Sequence, residues 1–136
     1  MADKIKTRNI KQSVVLNASA REVYGALMDS DKHSKFTGSP AKISPRVGGK
    51  FTAYDSYIEG ENMELSPGKK IVQSWRATEW PEGYFSTVTY MLKEKGGKTH
   101  LTFEQKGIPE EFCKEIEQGW IDWYWTPLKK MFGGED

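Results

Sequence analysis

The sequence predicts an α+β domain in which a curved antiparallel sheet of about six to seven strands closes around a long C-terminal helix. Three observations carry this. From Pro109 to Phe132, the residues Phe112, Ile116, Trp120, Trp123, Tyr124, Leu128 and Met131 recur at spacings of three and four. That stripe is heavier than the ~100° face an ordinary core-facing helix needs, so it demands a large apolar cover. Between residues 41 and 105, strand-like runs alternate with Gly and Pro punctuation, the pattern of consecutive hairpins. Ahead of them, a first strand leads straight into a helix-starting signal, so two short helices precede the rest of the sheet.

Each element has a local reason. Ile10 to Leu16 alternates as a first strand. Ser19-Ala20-Arg21-Glu22 reads as a capping box, followed at helical spacing by Val23, Ala26 and Leu27. A second short helix starts near Ser30, carries Phe36 and breaks at Gly38-Ser39-Pro40. Ala41 to Ser44 and Lys50 to Tyr54 are short strands bent at Pro45 and Gly48-Gly49. Tyr57 to Leu65 is a longer strand with Gly60 as a bulge or twist point, and Pro67-Gly68 turns it into Lys70 to Thr78. After the Trp80-Pro81-Glu82-Gly83 loop, Phe85 to Lys93 and Thr99 to Gln105 form a hairpin across Gly96-Gly97. Ser86, Val88, Tyr90 and Leu92 share a face with Thr99, Leu101 and Phe103. The last helix opens with Pro109 at its first position and acidic Glu110 and Glu111, and ends with Lys129 and Lys130 before Gly133-Gly134. Pro127 inside it predicts a kink between Trp123 and Pro127.

A chain of 136 residues suits one domain, expected over 10–132, with 1–9 as a disordered N-terminal tail and 133–136 as a C-terminal tail. Twenty basic and nineteen acidic residues are interspersed and leave a net charge of +1, which argues against a nucleic-acid partner. The N-terminus has no apolar run and predicts no signal peptide. Nor does any stretch of ~18 apolar residues predict membrane insertion, and a cytoplasmic location is expected. The single cysteine, Cys113, allows no internal disulfide.

Catalytic chemistry is sparse. His33 lies in a polar segment with Asp29, Asp31 and Lys35, and His100 alternates out of phase with Leu101 and Phe103, so both are expected to face solvent. Two histidines and one cysteine without short spacing predict no metal site. Nucleophile-elbow and phosphate-cradling motifs are missing, and no cofactor is expected. Cys113 would need a histidine through space to act as a nucleophile. Glu59 and Glu61 share one face of their strand and Glu64 the other; a solvated face is expected over an acid or base role. No catalytic residue is assigned. Trp75, Trp80 and Trp120 either fill the core or line a cavity, and Met63 and Met131 are gap-fillers or adaptable walls.

The order of elements is that of the helix-grip fold of the START-like (SRPBCC) superfamily. Within it, Arg46-Val47-Gly48-Gly49-Lys50-Phe51, Ile71-Val72-Gln73-Ser74-Trp75-Arg76, Trp80-Pro81-Glu82-Gly83, Lys106-Gly107-Ile108-Pro109 and Gly119-Trp120 resemble the signature of the C-terminal domain of the activator of the heat-shock-protein-90 ATPase. The resemblance runs from about Ile10 to Phe132. It implies the fold and kinship with lipid carriers, polyketide cyclases and hormone receptors. It also implies a co-chaperone or stress-response role, with a chaperone of the heat-shock-protein-90 type as partner. In the eukaryotic activator a separate N-terminal domain makes the main chaperone contact, and these 136 residues are expected to supply only the C-terminal module.

Three readings of function follow. The first is a non-enzymatic module binding a small apolar or amphipathic ligand between sheet and helix, in a cavity lined by Phe36, Phe51, Met63, Trp75, Tyr90, Trp120 and Tyr124. The second is a chaperone-associated protein-interaction module. The third is a cyclase- or hydrolase-like enzyme, which needs a buried ionisable group that the sequence does not reveal.

Overall fold

The computed structural model describes residues 5–135. The sheet is one continuous antiparallel surface in the order β2-β3-β4-β5-β6-β7-β1-β8. Its strands are β1 (Thr7–Leu16), β2 (Lys42–Ile43), β3 (Lys50–Ala53), β4 (Ile58–Ser66), β5 (Lys70–Ala77), β6 (Ser86–Lys95), β7 (Lys98–Pro109) and β8 (Gly134–Glu135). Helices α1 (Ala20–Met28) and α2 (Ser30–Thr37) intervene between β1 and β2. A C-terminal helical rod closes the order: a 3-10 turn at Glu110–Phe112, α3 (Cys113–Trp120), a π-helical turn at Ile121–Trp125, and α4 (Thr126–Phe132). This is the helix-grip arrangement expected from the sequence.

The local signals act as read. Ser19 Oγ accepts from the Glu22 amide at 3.1 Å, and the Glu22 carboxylate accepts from the Ser19 amide at 3.2 Å. Gly38 caps α2 with a left-handed φ of 73°. Gly96 and Gly97, at φ 61° and 79°, make the β6–β7 turn, which puts Val88, Tyr90, Leu92, Leu101 and Phe103 on the buried face. That face is the floor on which the C-terminal rod lies.

Several boundaries differ, each for a tertiary reason. Strand β1 starts at Thr7, because Thr7 and Arg8 pair with Pro109 and Ile108, so the tail expected at 1–9 is strand from Thr7 onward. Residues 1–4 of that tail lie outside the described residues. The C-terminal tail expected at 133–136 likewise contributes Gly134–Glu135 as a short edge strand on Val15 and Leu16. Pro109 ends β7 in an extended conformation instead of opening the helix. Gly60 is not the bulge; the register shifts between Asn62 and Glu64, and Gly60 serves as the place where the Phe51 ring packs.

The rod shows what Pro127 does to a helix. Pro127 has no amide to offer the Trp123 carbonyl four residues earlier, and that carbonyl accepts from the Tyr54 hydroxyl. Upstream, the Thr126 amide reaches the Ile121 carbonyl, a five-residue step that widens the turn. The Ile121 amide bonds Gln118, while the Glu117 carbonyl accepts from Gln12 Nε2 at 2.9 Å. The irregularity expected between Trp123 and Pro127 is thus a π turn at Ile121–Trp125, its Trp123 carbonyl completed by a side chain from the turn after β3.

One extra residue in a turn rotates everything after it by roughly 100°. Trp125 is therefore buried, with its indole donating to Gln12 Oε1 at 2.7 Å, while Trp123 is 58% exposed and Met131 38%. Periodicity read at a constant 3.6 had put Trp123 and Met131 on the core stripe and left Trp125 off it.

Candidate functional site

The floor of the site is an aromatic stack anchored by a buried polar chain. Trp120 lies against Phe103, Tyr124, Trp75 and Trp125, with centroids 4.2, 4.5, 5.7 and 5.7 Å away. Its indole donates to Gln105 Oε1 at 2.8 Å, Gln105 Nε2 donates to Ser86 Oγ at 2.9 Å, and Ser86 Oγ donates to the Trp75 carbonyl at 2.9 Å. Gln105 is wholly buried, so each of these bonds replaces one that water would otherwise make. The chain fixes the angle at which the rod crosses the sheet.

One wall is the loop after β5. Arg76 Nη2 donates to the Trp80 carbonyl at 2.8 Å, and the Tyr84 hydroxyl donates to the Gly107 carbonyl at 2.7 Å. Held this way, Trp80 packs on Trp75 at 5.4 Å and is 3% exposed. Its indole Nε1 is buried without a partner. The opposite wall is the turn joining β3 to β4, where Tyr54, Asp55 and Ser56 have φ values of 51°, 55° and 69°. Three successive non-glycine residues in the left-handed region are strained by roughly 1–2 kcal/mol each, a kind of strain that clusters at ligand clamps and switches. The Asp55 amide bonds the Pro40 carbonyl at 2.9 Å and the Tyr54 hydroxyl holds the rod, so the surroundings keep the turn in place.

Between these walls lies a cavity of about 480 Å³. It is lined by the strand residues Ile58, Trp75 and Ala77, by Trp80 and the β3–β4 turn, and by one side of the rod from Phe112 to Tyr124. Tyr57, Glu79, Glu115 and Trp123 are exposed at its mouth. The Tyr57 hydroxyl donates to Glu79 Oε1. Burial, then that hydrogen bond, then the charges of Glu79 and Glu115 push the Tyr57 phenol up to about 12. Burial also raises the Tyr54 and Tyr124 phenols, so the walls stay uncharged at neutral pH.

Of the residues expected to line a cavity, Trp75, Trp120 and Tyr124 do so. Tyr90 stands behind them, buried against Phe103 and Trp120 at 5.3 and 6.1 Å. Phe51 is in the core under Gly60, and Met63 is 54% exposed on the outer face of β4. Alternation from the buried Ile58 and Asn62 puts Met63 on the same outer face as Glu59 and Glu61, ahead of the register shift. Phe36 borders a separate, more open groove with Pro127 and Met131. Sequence reasoning missed Tyr54, Tyr57, Glu79 and Glu115, which only chain folding brings to one mouth. The Trp-Pro-Glu-Gly motif beside Glu79 was the available signal.

His33 is buried, contrary to its polar neighbourhood in sequence. Its Nε2 lies 3.0 Å from the Tyr124 hydroxyl, its ring packs on Phe36 and Tyr124 at 4.9 and 5.3 Å, and its Nδ1 has no partner. Helix α2 turns His33 inward together with Phe36, while Asp31 and Lys35 stay outside. Burial lowers its pKa from 6.5 to about 4, so the folded protein holds it neutral. Stability is then complete above pH 6.5 and falls as the pH drops toward 4, because only the unfolded chain takes up the proton. Unfolding free energies from urea melts at pH 7 and pH 5 should differ by about 2 kcal/mol from this group, and His33→Gln should flatten that limb.

Burial and the Glu117 carboxylate raise the Cys113 thiol against the pull of Arg8, with Glu110 adding to the rise, which is the opposite of what activates a nucleophile. His100 is exposed, as are Glu59, Glu61 and Glu64. Among the described residues, no group of three His, Cys, Asp or Glu side chains is placed to hold a metal ion, and no helix is long and apolar enough to cross a membrane.

Comparison with known proteins agrees with this architecture. Residues 17–133 match the family described as Activator of Hsp90 ATPase homolog 1-like protein. The chain is similar to Activator of 90 kDa heat shock protein ATPase homolog 1 of Homo sapiens, at 36% identity over 130 residues, covering 96% of this chain and 38% of the human protein. It is 35% identical over 115 residues to Activator of 90 kDa heat shock protein ATPase homolog of Dictyostelium discoideum, covering 84% of this chain and 30% of that protein. It therefore spans about a third of the length of the curated relatives it matches. Among solved structures, an HSP90 activator from Plasmodium falciparum superposes with a TM-score of 0.87 at 24% identity, covering 93% of this chain and 97% of that one. The Aha1 dimer from Colwellia psychrerythraea superposes with a TM-score of 0.78 at 18% identity, covering 95% and 99%. The two structures establish the shared fold, and the match over residues 17–133 together with the human identity places the chain in the family of Activator of Hsp90 ATPase homolog 1-like proteins.

Proposed function

We propose that this chain is a non-enzymatic, chaperone-associated module that works with an ATPase of the Hsp90 type in the cytoplasm. The observation that carries the reading is 36% identity over 130 residues with the human activator, sustained across nearly the whole chain. A catalytic alternative of the cyclase or hydrolase kind has little to work with, since the cavity walls offer aromatic rings and raised phenols, and its carboxylates sit exposed at the mouth. The test is direct. Purified chain titrated onto the Hsp90-type chaperone of the same organism should bind saturably and change its ATP turnover. No binding at low ionic strength would overturn the reading.

A second reading rests on the cavity itself. About 480 Å³ with aromatic walls falls within the ~300–1,000 Å³ of small-molecule sites, and supports binding of a small apolar or amphipathic ligand between rod and sheet. Nuclear magnetic resonance titration with neutral aromatic probes should shift the indole signals of Trp75, Trp80 and Trp120. Shifts confined to exposed Trp123 would count against it.

A further inference from the structure

The cavity carries charge of one sign only. Among its lining residues, Glu79 and Glu115 are the ionised groups, and no Lys, Arg or His is present. Both carboxylates act on the Tyr57 hydroxyl at the mouth, one of them through a hydrogen bond. Around and behind the mouth stand Tyr54, Trp75, Trp80, Trp120, Trp123 and Tyr124. Aromatic faces carry the negative side of the ring quadrupole and attract cations. A carboxylate or sulfate entering here would meet two like charges and no cationic partner; an ammonium group would meet both carboxylates and the rings.

We propose that the cavity takes an organic cation: a quaternary or protonated ammonium head seated at the mouth by Glu79 and Glu115, with an aromatic or alkyl body reaching Trp75, Trp120 and Tyr124. This rests on the second reading above, that the cavity binds a ligand, and it names the class. Fatty acids and other anionic amphiphiles are thereby disfavoured.

Three probes that share a naphthyl body and differ in head group test it on the full chain: (2-naphthylmethyl)trimethylammonium, neutral 2-methoxynaphthalene and 2-naphthoate. At low salt the ammonium should bind about tenfold or more tightly than the naphthoate, with the neutral probe between them, and added salt should compress the series. In the double variant Glu79→Gln, Glu115→Gln the order should collapse while the affinity of the neutral probe stays the same, which also shows that the variant is folded. Naphthoate binding as tightly as the ammonium, or a cation preference that survives in the double variant, would overturn the proposal and leave the cavity reading standing. Failure of all three probes to bind would remove that reading and this one together.

Discussion

Replacing Trp120 by alanine is expected to cost about 5 kcal/mol, a large part of the ~5–15 kcal/mol that holds an ordinary domain together. Two costs combine. The indole is 3% exposed and touches Phe103, Tyr124, Trp75 and Trp125, so its removal opens a void at the crossing of rod and sheet. Gln105 Oε1, wholly buried in the parent chain, then loses its donor, adding roughly 1–3 kcal/mol. Trp120→Phe shifts the balance between the two, because it removes the N–H but keeps a six-membered aromatic ring in place of the bicycle. It should cost about 2 kcal/mol. Denaturant midpoints of both variants against the parent chain provide the check, and a Trp120→Ala loss below that of Trp120→Phe would show that this ring is not the keystone.

Gly60→Ala should be nearly as damaging, and for an unrelated reason. A Cβ at this position would lie 1.8 Å from the Ser74 carbonyl oxygen and 2.7 Å from the Phe51 ring. The ring can give way; the carbonyl belongs to the adjacent strand β5, and moving it means breaking the β4–β5 pairing that carries Trp75. Overpacking against backbone should cost about 3 kcal/mol or more. Adding Phe51→Leu should not restore the loss, since the oxygen remains. Thermal unfolding of the single and double variants decides the matter: recovery in the double variant would mean that the ring, and not the strand spacing, is the obstacle.

These effects mark where sequence reasoning succeeds and where it stops. Helix α1 was legible because its capping box is local chemistry, four residues satisfying their own amides. The β6–β7 hairpin was legible because Gly96-Gly97 permits the turn and alternation sets the faces. The rod was legible as a whole from its aromatic spacing, yet the side it presents was not. Its phase changes at the π turn, where the Trp123 carbonyl is satisfied by Tyr54 and the Glu117 carbonyl just before it by Gln12, residues distant in the chain. The buried His33 was hidden for the same reason, since its partner Tyr124 is 91 residues away.

By itself the sequence determined the class of fold, the order of elements, the family signature and the aromatic wealth of the last helix, because each depends on neighbours within a few positions or on periodicity along one segment. Only the tertiary structure decided which rings border the cavity, that its mouth is acidic and that Gln105, Ser86 and Trp120 share one hydrogen-bonded chain. Those properties depend on a widened helical turn and on partners far apart in sequence, and burial of a polar group is set by what covers it, which no local pattern of residues records.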